Sequence, residues 1–185
     1  MRRRQFGAQT GVPLGGKETA GDQDDSFCSM RLALYQPDIA QNTGTILRLS
    51  ACLGVPVDVI GPTGFDMSDR TLKRAALDYL IHVNLTRHPS FESFLDARKS
   101  QNGQAGRLVL LTTKAATRYV DFAFEAGDTL MLGRESAGVP EDVHDRADAR
   151  VAVPMREGLR SLNVAVAAAM VLGEALRQTS GFPSG

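Results

Sequence analysis

Three short stretches of the chain carry the residues that could do chemistry. NTGTILRLSACLG sets Asn42 ahead of Arg48, GRESAGVP brackets Glu135 between Gly133 and Gly138, and REGLRSLNVAVA puts Ser161 and Asn163 at the head of an alanine-rich apolar run. Each has a structural reading beside a functional one. Asn42 and Asn163 both suit a helix N-cap, where the side-chain oxygen accepts a bond from an otherwise orphaned amide, typically worth about 1 kcal/mol. On a helix, Arg48 shares a side with Thr45 and Cys52, away from the most apolar face, as a solvated arginine would. Gly133 and Gly138 permit close approach of the backbone to a ligand. Glu135 between them either binds that ligand or faces water. The G-x-E-x-x-G spacing is not the dinucleotide fingerprint.

The elements that must position these residues alternate along the chain. MRLALYQP reads as a strand, and NTGTILRLSACLG as a helix capped by Asn42 and stopped by Gly54. VPVDVIGP is a second strand, and SDRTLKRAALDY a helix with Ser68 or Asp69 as its cap. HVNLTRHP is a strand or loop, SFESFLDARK a short helix, and RLVLLTTK a nearly continuous apolar strand. DTLMLGRES and ARVAVPM are further strands, and a long helix begins near Asn163. Apolar strands separated by helices imply an α/β fold, an open and mostly parallel sheet with helices on both faces. Ligands gather at the carboxyl ends of such strands. Asn42, Thr112, Gly133, Glu135, Ser161 and Asn163 all follow strands, so one site is expected.

Composition narrows the class. The 185 residues, 43% hydrophobic, suffice for one core. Residues 1–29 lack periodicity and read as a flexible tail, with Met30 as a possible start, so a single domain is expected over 30–185. Lysine plus arginine and aspartate plus glutamate both number 21, so no global basic field advertises nucleic acid, although a local patch would suffice. Cys28 and Cys52 are isolated thiols, which suggests a reducing compartment and neither a disulfide framework nor a zinc site. No apolar run reaches the roughly 18 residues that span a bilayer, and MRRR has no apolar segment behind it. A cytoplasmic protein without metal or membrane attachment is expected.

The order of the motifs is more specific than any one of them. N-T-G-x-x-x-R, then G-x-E-x-x-G-V-P, then V-P-M and S-L-N-V leading into an alanine-rich helix resembles the SpoU-class RNA ribose 2′-O-methyltransferases of the SPOUT superfamily. The resemblance runs from about Met30 to Pro183. The opening LALYQPDIAQNTG, the GFDMSDRTLKRAALDY stretch and the RQTSGFP ending look like the TrmL-type members. Those methylate the wobble pyrimidine ribose of leucine tRNA isoacceptors.

The resemblance implies a C-terminal deep trefoil knot, a homodimer, and S-adenosyl-L-methionine as cofactor. By position, it implies cofactor contacts at Leu111, Thr112, Gly133, Val153, Met155, Ser161 and Asn163, and a catalytic set of Arg48, Asn42, Glu135, Ser161 and Asn163. An arginine is a poor base, because its pKa exceeds about 12. Arg48 is therefore expected to hold the target phosphate and ribose. Ala165 stands where many relatives have serine. For contact with the tRNA anticodon loop the candidates are Arg70, Lys73, Arg74, Arg87 and His88, whose alternative is a solvated basic face. Competing readings are a methyltransferase of another RNA such as ribosomal RNA, and a catalytically silent RNA-binding relative.

Overall fold

The structure, a computed structural model, describes residues 30–68, 70–100 and 105–184. The tail expected over 1–29, with Cys28, and the Asp69 cap lie outside the described residues. Six strands are present: β1 (Arg31–Tyr35), β2 (Val57–Ile60), β3 (Leu85–His88), β4 (Leu108–Leu111), β5 (Thr129–Leu132) and β6 (Ala149–Val151). They form one sheet in the order β3-β2-β1-β5-β4-β6, with every neighbouring pair parallel. The helices are α1 (Ala40–Leu53), α2 (Arg70–Ala76), α3 (Phe91–Lys99), α4 (Glu141–Asp145) and α5 (Val164–Thr179).

Alternation along the strands divides the core in two, because successive side chains point to opposite faces. Leu32, Leu34, Val57, Val59, Leu130 and Leu132 pack on Ile46 and Leu47 of α1, Leu72 of α2, and Val171, Leu172 and Leu176 of α5. Ala33, Tyr35, Ile60, Leu110 and Met131 face Phe91 and Phe94 of α3 and Val143 of α4. Both faces are covered, which is why the strands read as apolar runs.

Local signals account for most boundaries. Gly54 stops α1 in a left-handed conformation, φ 67°. Ser90 starts α3 with a reciprocal capping box: its hydroxyl accepts from Ser93 N at 3.2 Å, and the Ser93 hydroxyl accepts from Ser90 N at 3.1 Å. Two expectations fail, and a third element had no reading in the sequence. First, α1 begins at Ala40 with Ile39 as an N-cap that makes no side-chain bond, so Asn42 lies inside the first turn and caps nothing. Second, the helix expected over SDRTLKRAALDY gives way after Ala76 to a tighter 3-10 segment, Leu77–His82. Third, α4 has only five residues, too few for a periodic pattern to be seen.

His88 also departs from expectation. It closes β3 with 8% of its surface exposed, and its Nε2 lies 2.8 Å from Asp58 Oδ1. It is therefore not the surface RNA contact it was expected to be. Asp58 is buried on the α3 face and also takes a bond from Arg31 Nε at 2.9 Å. Removing one member of a buried ionic cluster strands the others. Asp58→Ala is expected to cost about 3 kcal/mol in urea unfolding, and a loss below about 1 kcal/mol would show that the cluster is not structural.

Candidate functional site

The site is built where β1 and β5 end side by side, in register at Leu34 and Leu132. After β1 the chain turns through Gln36, φ 44°, whose N–H donates to Ile60 O at 2.8 Å. That turn delivers Asp38 and then α1. After β5, Arg134 and Gly138 exchange both backbone hydrogen bonds at 2.9 Å, closing a tight hairpin. A Cβ on Gly133 would lie 2.7 Å from the Gly138 carbonyl carbon, so only glycine fits there.

The two loops grip each other. Glu135 N donates to Asp38 Oδ1 at 3.1 Å, and Asp38 N donates to Glu135 Oε2 at 3.1 Å. The Ser136 hydroxyl also donates to Asp38, and Arg134 Nε lies 3.6 Å from it. Behind this turn, a Cβ on Gly64 would meet the Asp38 Cβ at 2.7 Å, so the loop after β2 also depends on a bare backbone.

A relay of side-chain bonds leads from this clamp to α5. Asn42 Nδ2 donates to Glu135 Oε1 at 3.2 Å, and Asn163 Nδ2 donates to Asn42 Oδ1 at 3.0 Å. Asn163 Oδ1 accepts from Ala165 N at 2.9 Å and Val166 N at 3.3 Å, capping α5. Asn163 is thus a cap and a member of the site at once. It is exposed, so losing it would not leave a deeply buried partner unpaired.

Electrostatics follow from the clamp. The Glu135 side chain, with help from the Ser136 hydroxyl, holds Asp38 down to about 2. Burial, followed by its contact with Asp38, pushes Glu135 above the usual glutamate range. Both Glu135 oxygens already accept bonds, so this carboxyl positions neighbours and is not a free base.

Beside the relay opens a cavity of about 600 Å³, a size that suits a small molecule or cofactor. Leu110, Leu132 and Val151 supply apolar wall, and the loops after β4, β5 and β6 supply backbone. Asn42, Leu111, Thr112, Gly133, Glu135, Val153, Met155, Ser161 and Asn163 all border it, so the structure brings together the residues that the resemblance implied, except Arg48. Arg48 is exposed on α1, its guanidinium 5.0 Å over the Tyr79 ring centroid, and does not line the cavity. Arg70 and Arg74 are exposed on α2 and Arg87 on the edge strand β3, while the Lys73 side chain is outside the described residues. Asp38 escaped the sequence reading; its only signal was an acid four residues ahead of Asn42 in QPDIAQN. Glu141, His144 and Asp145 lie close enough to share a cation. Arg150, however, donates to His144 Nδ1 at 2.9 Å and sits 3.8 Å from Asp145, so a positive charge already occupies that position.

The model of the SpoU rRNA Methylase family matches residues 29–173. The chain belongs to the SpoU methylase family. A relative from Beijerinckia indica named tRNA (cytidine(34)-2′-O)-methyltransferase is 63% identical over 151 residues, 82% of this chain and 92% of that one. An Escherichia coli K12 relative of the same name is 38% identical over 156 residues, 83% and 96% of the two chains. A structure solved for insights into 2-OH methylation of C/U34 on tRNA superimposes with a TM-score of 0.77 at 40% identity, over 83% of this chain and 97% of that chain. The SpoU methyltransferase AviRb from Streptomyces viridochromogenes, in complex with AdoMet, gives 0.77 at 28% identity, over 86% and 65%. A trefoil knot is typical of this SpoU fold, and the three loops that would form it here, after β4, β5 and β6, meet at one cavity.

Two measurements separate these roles. Asn163→Ala should lose about 1 kcal/mol of stability, whereas Asn163→Asp, which keeps the capping oxygen, should stay within a few tenths of the wild type. Equal losses in urea titrations would refute the cap. Because the folded state holds a proton on Glu135 above the ordinary value of 4.5, that group favours the folded state below 4.5 and this advantage is lost as pH rises through its raised value. The melting temperature of the wild type relative to Glu135→Gln should therefore decline as pH rises from 4.5. A constant difference would contradict a raised Glu135.

Proposed function

We propose that this protein transfers a methyl group from S-adenosyl-L-methionine to the ribose 2′-oxygen of the wobble pyrimidine nucleotide, position 34, of leucine tRNA isoacceptors. The observation that carries this reading is the single cavity bordered at once by Asn42, by Gly133 and Glu135, and by Ser161 and Asn163. The names of the relatives, at 63% and 54% identity, support tRNA position 34 as the target. The ribosomal alternative has weaker support. Neighbours described as ribosomal RNA methyltransferases are 25% identical, and only 56% of their length is covered.

The residues present fit the cofactor: apolar walls suit an adenine ring, and Gly133 brings bare backbone to the cavity border. When bound, the cofactor would supply a methyl group on its sulfonium, a carbon–sulfur bond being exchanged for a bond to the ribose 2′-oxygen with release of the hydroxyl proton. The protein's part is alignment and water exclusion, because a neutral hydroxyl is a weak nucleophile. Asn42 and Asn163 hold fixed donors and acceptors at the cavity edge, with the Asp38–Glu135 clamp keeping them in place. Arg48, exposed and held over the Tyr79 ring, has N–H groups to grip a phosphate and ribose. Arg70, Arg74 and Arg87 extend an RNA-facing surface, with Lys73 of the same sequence stretch.

The enzyme acts as a homodimer in the cytoplasm. Val166 and Met170 on α5, 50% and 40% exposed, with Ile39 at the head of α1, form an apolar face suited to a second copy. No helix among the described residues is long and apolar enough to cross a membrane.

The test is transfer of labelled methyl from S-adenosyl-L-methionine to total tRNA lacking wobble ribose methylation, with the product mapped by mass spectrometry. Label on the position 34 ribose of leucine tRNA is expected. Arg48→Lys should lower the rate about tenfold or more with cofactor affinity unchanged. No label on any tRNA from folded protein that binds the cofactor would overturn the proposal.

A further inference from the structure

Some cations of this chain are held in ion pairs. Away from the cavity several arginines are matched by acids: Arg107 with Asp128 at 2.7 Å, Arg146 with Glu92 at 2.6 Å, Arg177 with Glu174 at 2.8 Å. At the rim of the cavity Arg134 lies 3.6 Å from Asp38, but three other cations are unmatched. Lys114, after β4, and Arg156 and Arg160, between β6 and α5, are exposed and have no acid within 4 Å among the described residues. Lys114 and Arg160 both border the cavity. Arg156 O accepts from Leu159 N at 3.3 Å, and Gly158 takes φ 83°, so a turn carries Arg156 and Arg160 on one exposed segment. Leu159 between them is 66% exposed.

We infer that Lys114, Arg156 and Arg160 clamp the RNA phosphates flanking the target nucleotide, holding the ribose at the mouth of the cavity. The inference rests on the proposed RNA methylation and adds to it a second contact surface, separate from Arg70, Arg74 and Arg87. The chemistry favours phosphate. Cations held in no ion pair, at the edge of a cavity whose walls are apolar side chains and backbone, answer to a ligand that carries its charge outside that cavity. Three of them exceed what one carboxylate of a cofactor would use. The acids nearest the site, Asp38 and Glu135, are engaged by backbone and side-chain donors, which leaves these cations available. Glu157 in the same segment is the one acid that would oppose them. An exposed leucine beside them offers apolar surface to an unstacked base, as loop RNA presents.

The experiment measures affinity of the full-length protein for an in vitro transcribed leucine tRNA across salt concentrations, with S-adenosylhomocysteine affinity measured by calorimetry. Each of Lys114→Ala and Arg160→Ala should flatten the log–log salt dependence by about 0.7 to 0.9. The double variant should bind tRNA about tenfold more weakly at low salt. Arg146→Ala, which removes a paired surface cation away from the cavity, should leave the slope unchanged. Unaltered tRNA affinity and slope in the double variant, or an equal loss of S-adenosylhomocysteine affinity, overturns the clamp. Failure of the wild type to methylate this tRNA would instead count against the proposed reaction, and the salt slopes would still report on the clamp.

Discussion

The site depends on one register. β1 and β5 lie next to each other and parallel at the centre of the sheet, with Leu34 opposite Leu132, so both chains leave the sheet at the same height. The two departing backbones would diverge without a link between them. Asp38 and Glu135 supply it by exchanging bonds in which each carboxylate accepts the other residue's N–H. Hydrogen bonds to charged groups contribute roughly 1.5–3 kcal/mol each, enough to fix two loops that carry little hydrophobic contact of their own. Gly133 lets the hairpin close on itself, since a Cβ there would meet Gly138, and Gly64 lets the loop after β2 lie against Asp38.

Two carboxyls this near cannot both hold a full negative charge without cost. The surroundings divide the charge unequally. Asp38 receives the Ser136 hydroxyl and the nearby Arg134, and stays ionised, while half-buried Glu135 is pushed toward its neutral form. Asparagine then suits the relay better than a charged residue. Its amide donates to Glu135 and accepts from Asn163 in the same geometry, transmitting the position of the hairpin to the start of α5 without adding charge.

Much of this was legible in the sequence, for identifiable reasons. Strands buried on both faces leave apolar runs, so the sheet could be read, while the residues that border the cavity were named through the resemblance of the three motifs. Asn163 was readable because a cap is a local device. What failed was non-local. Asn42 looked like a cap, but α1 starts at Ala40, and the partner that explains it, Glu135, is 93 residues away. His88 looked like a loop cation until Asp58, 30 residues earlier, drew it under α3. Asp38 carried no signal of its own, since an acid before a helix has many ordinary uses.

Arg48 raises a different issue, because sequence order placed it with the catalytic set and the fold places it outside the cavity. Its place over the Tyr79 ring shows how both can be meaningful. An exposed guanidinium anchored by a cation–π contact outside the cavity suits a contact to a large polyanion better than one to a small enclosed ligand. The same division runs through the whole chain. A formal charge of zero hides some cations neutralised in pairs and others, among them Lys114 and Arg160 at the cavity, that have no acid within 4 Å among the described residues. Overall charge balance is therefore weak evidence against nucleic acid binding: the field that an approaching RNA meets is set by which cations have been left without acids, and the ion pairs reveal that where the composition does not.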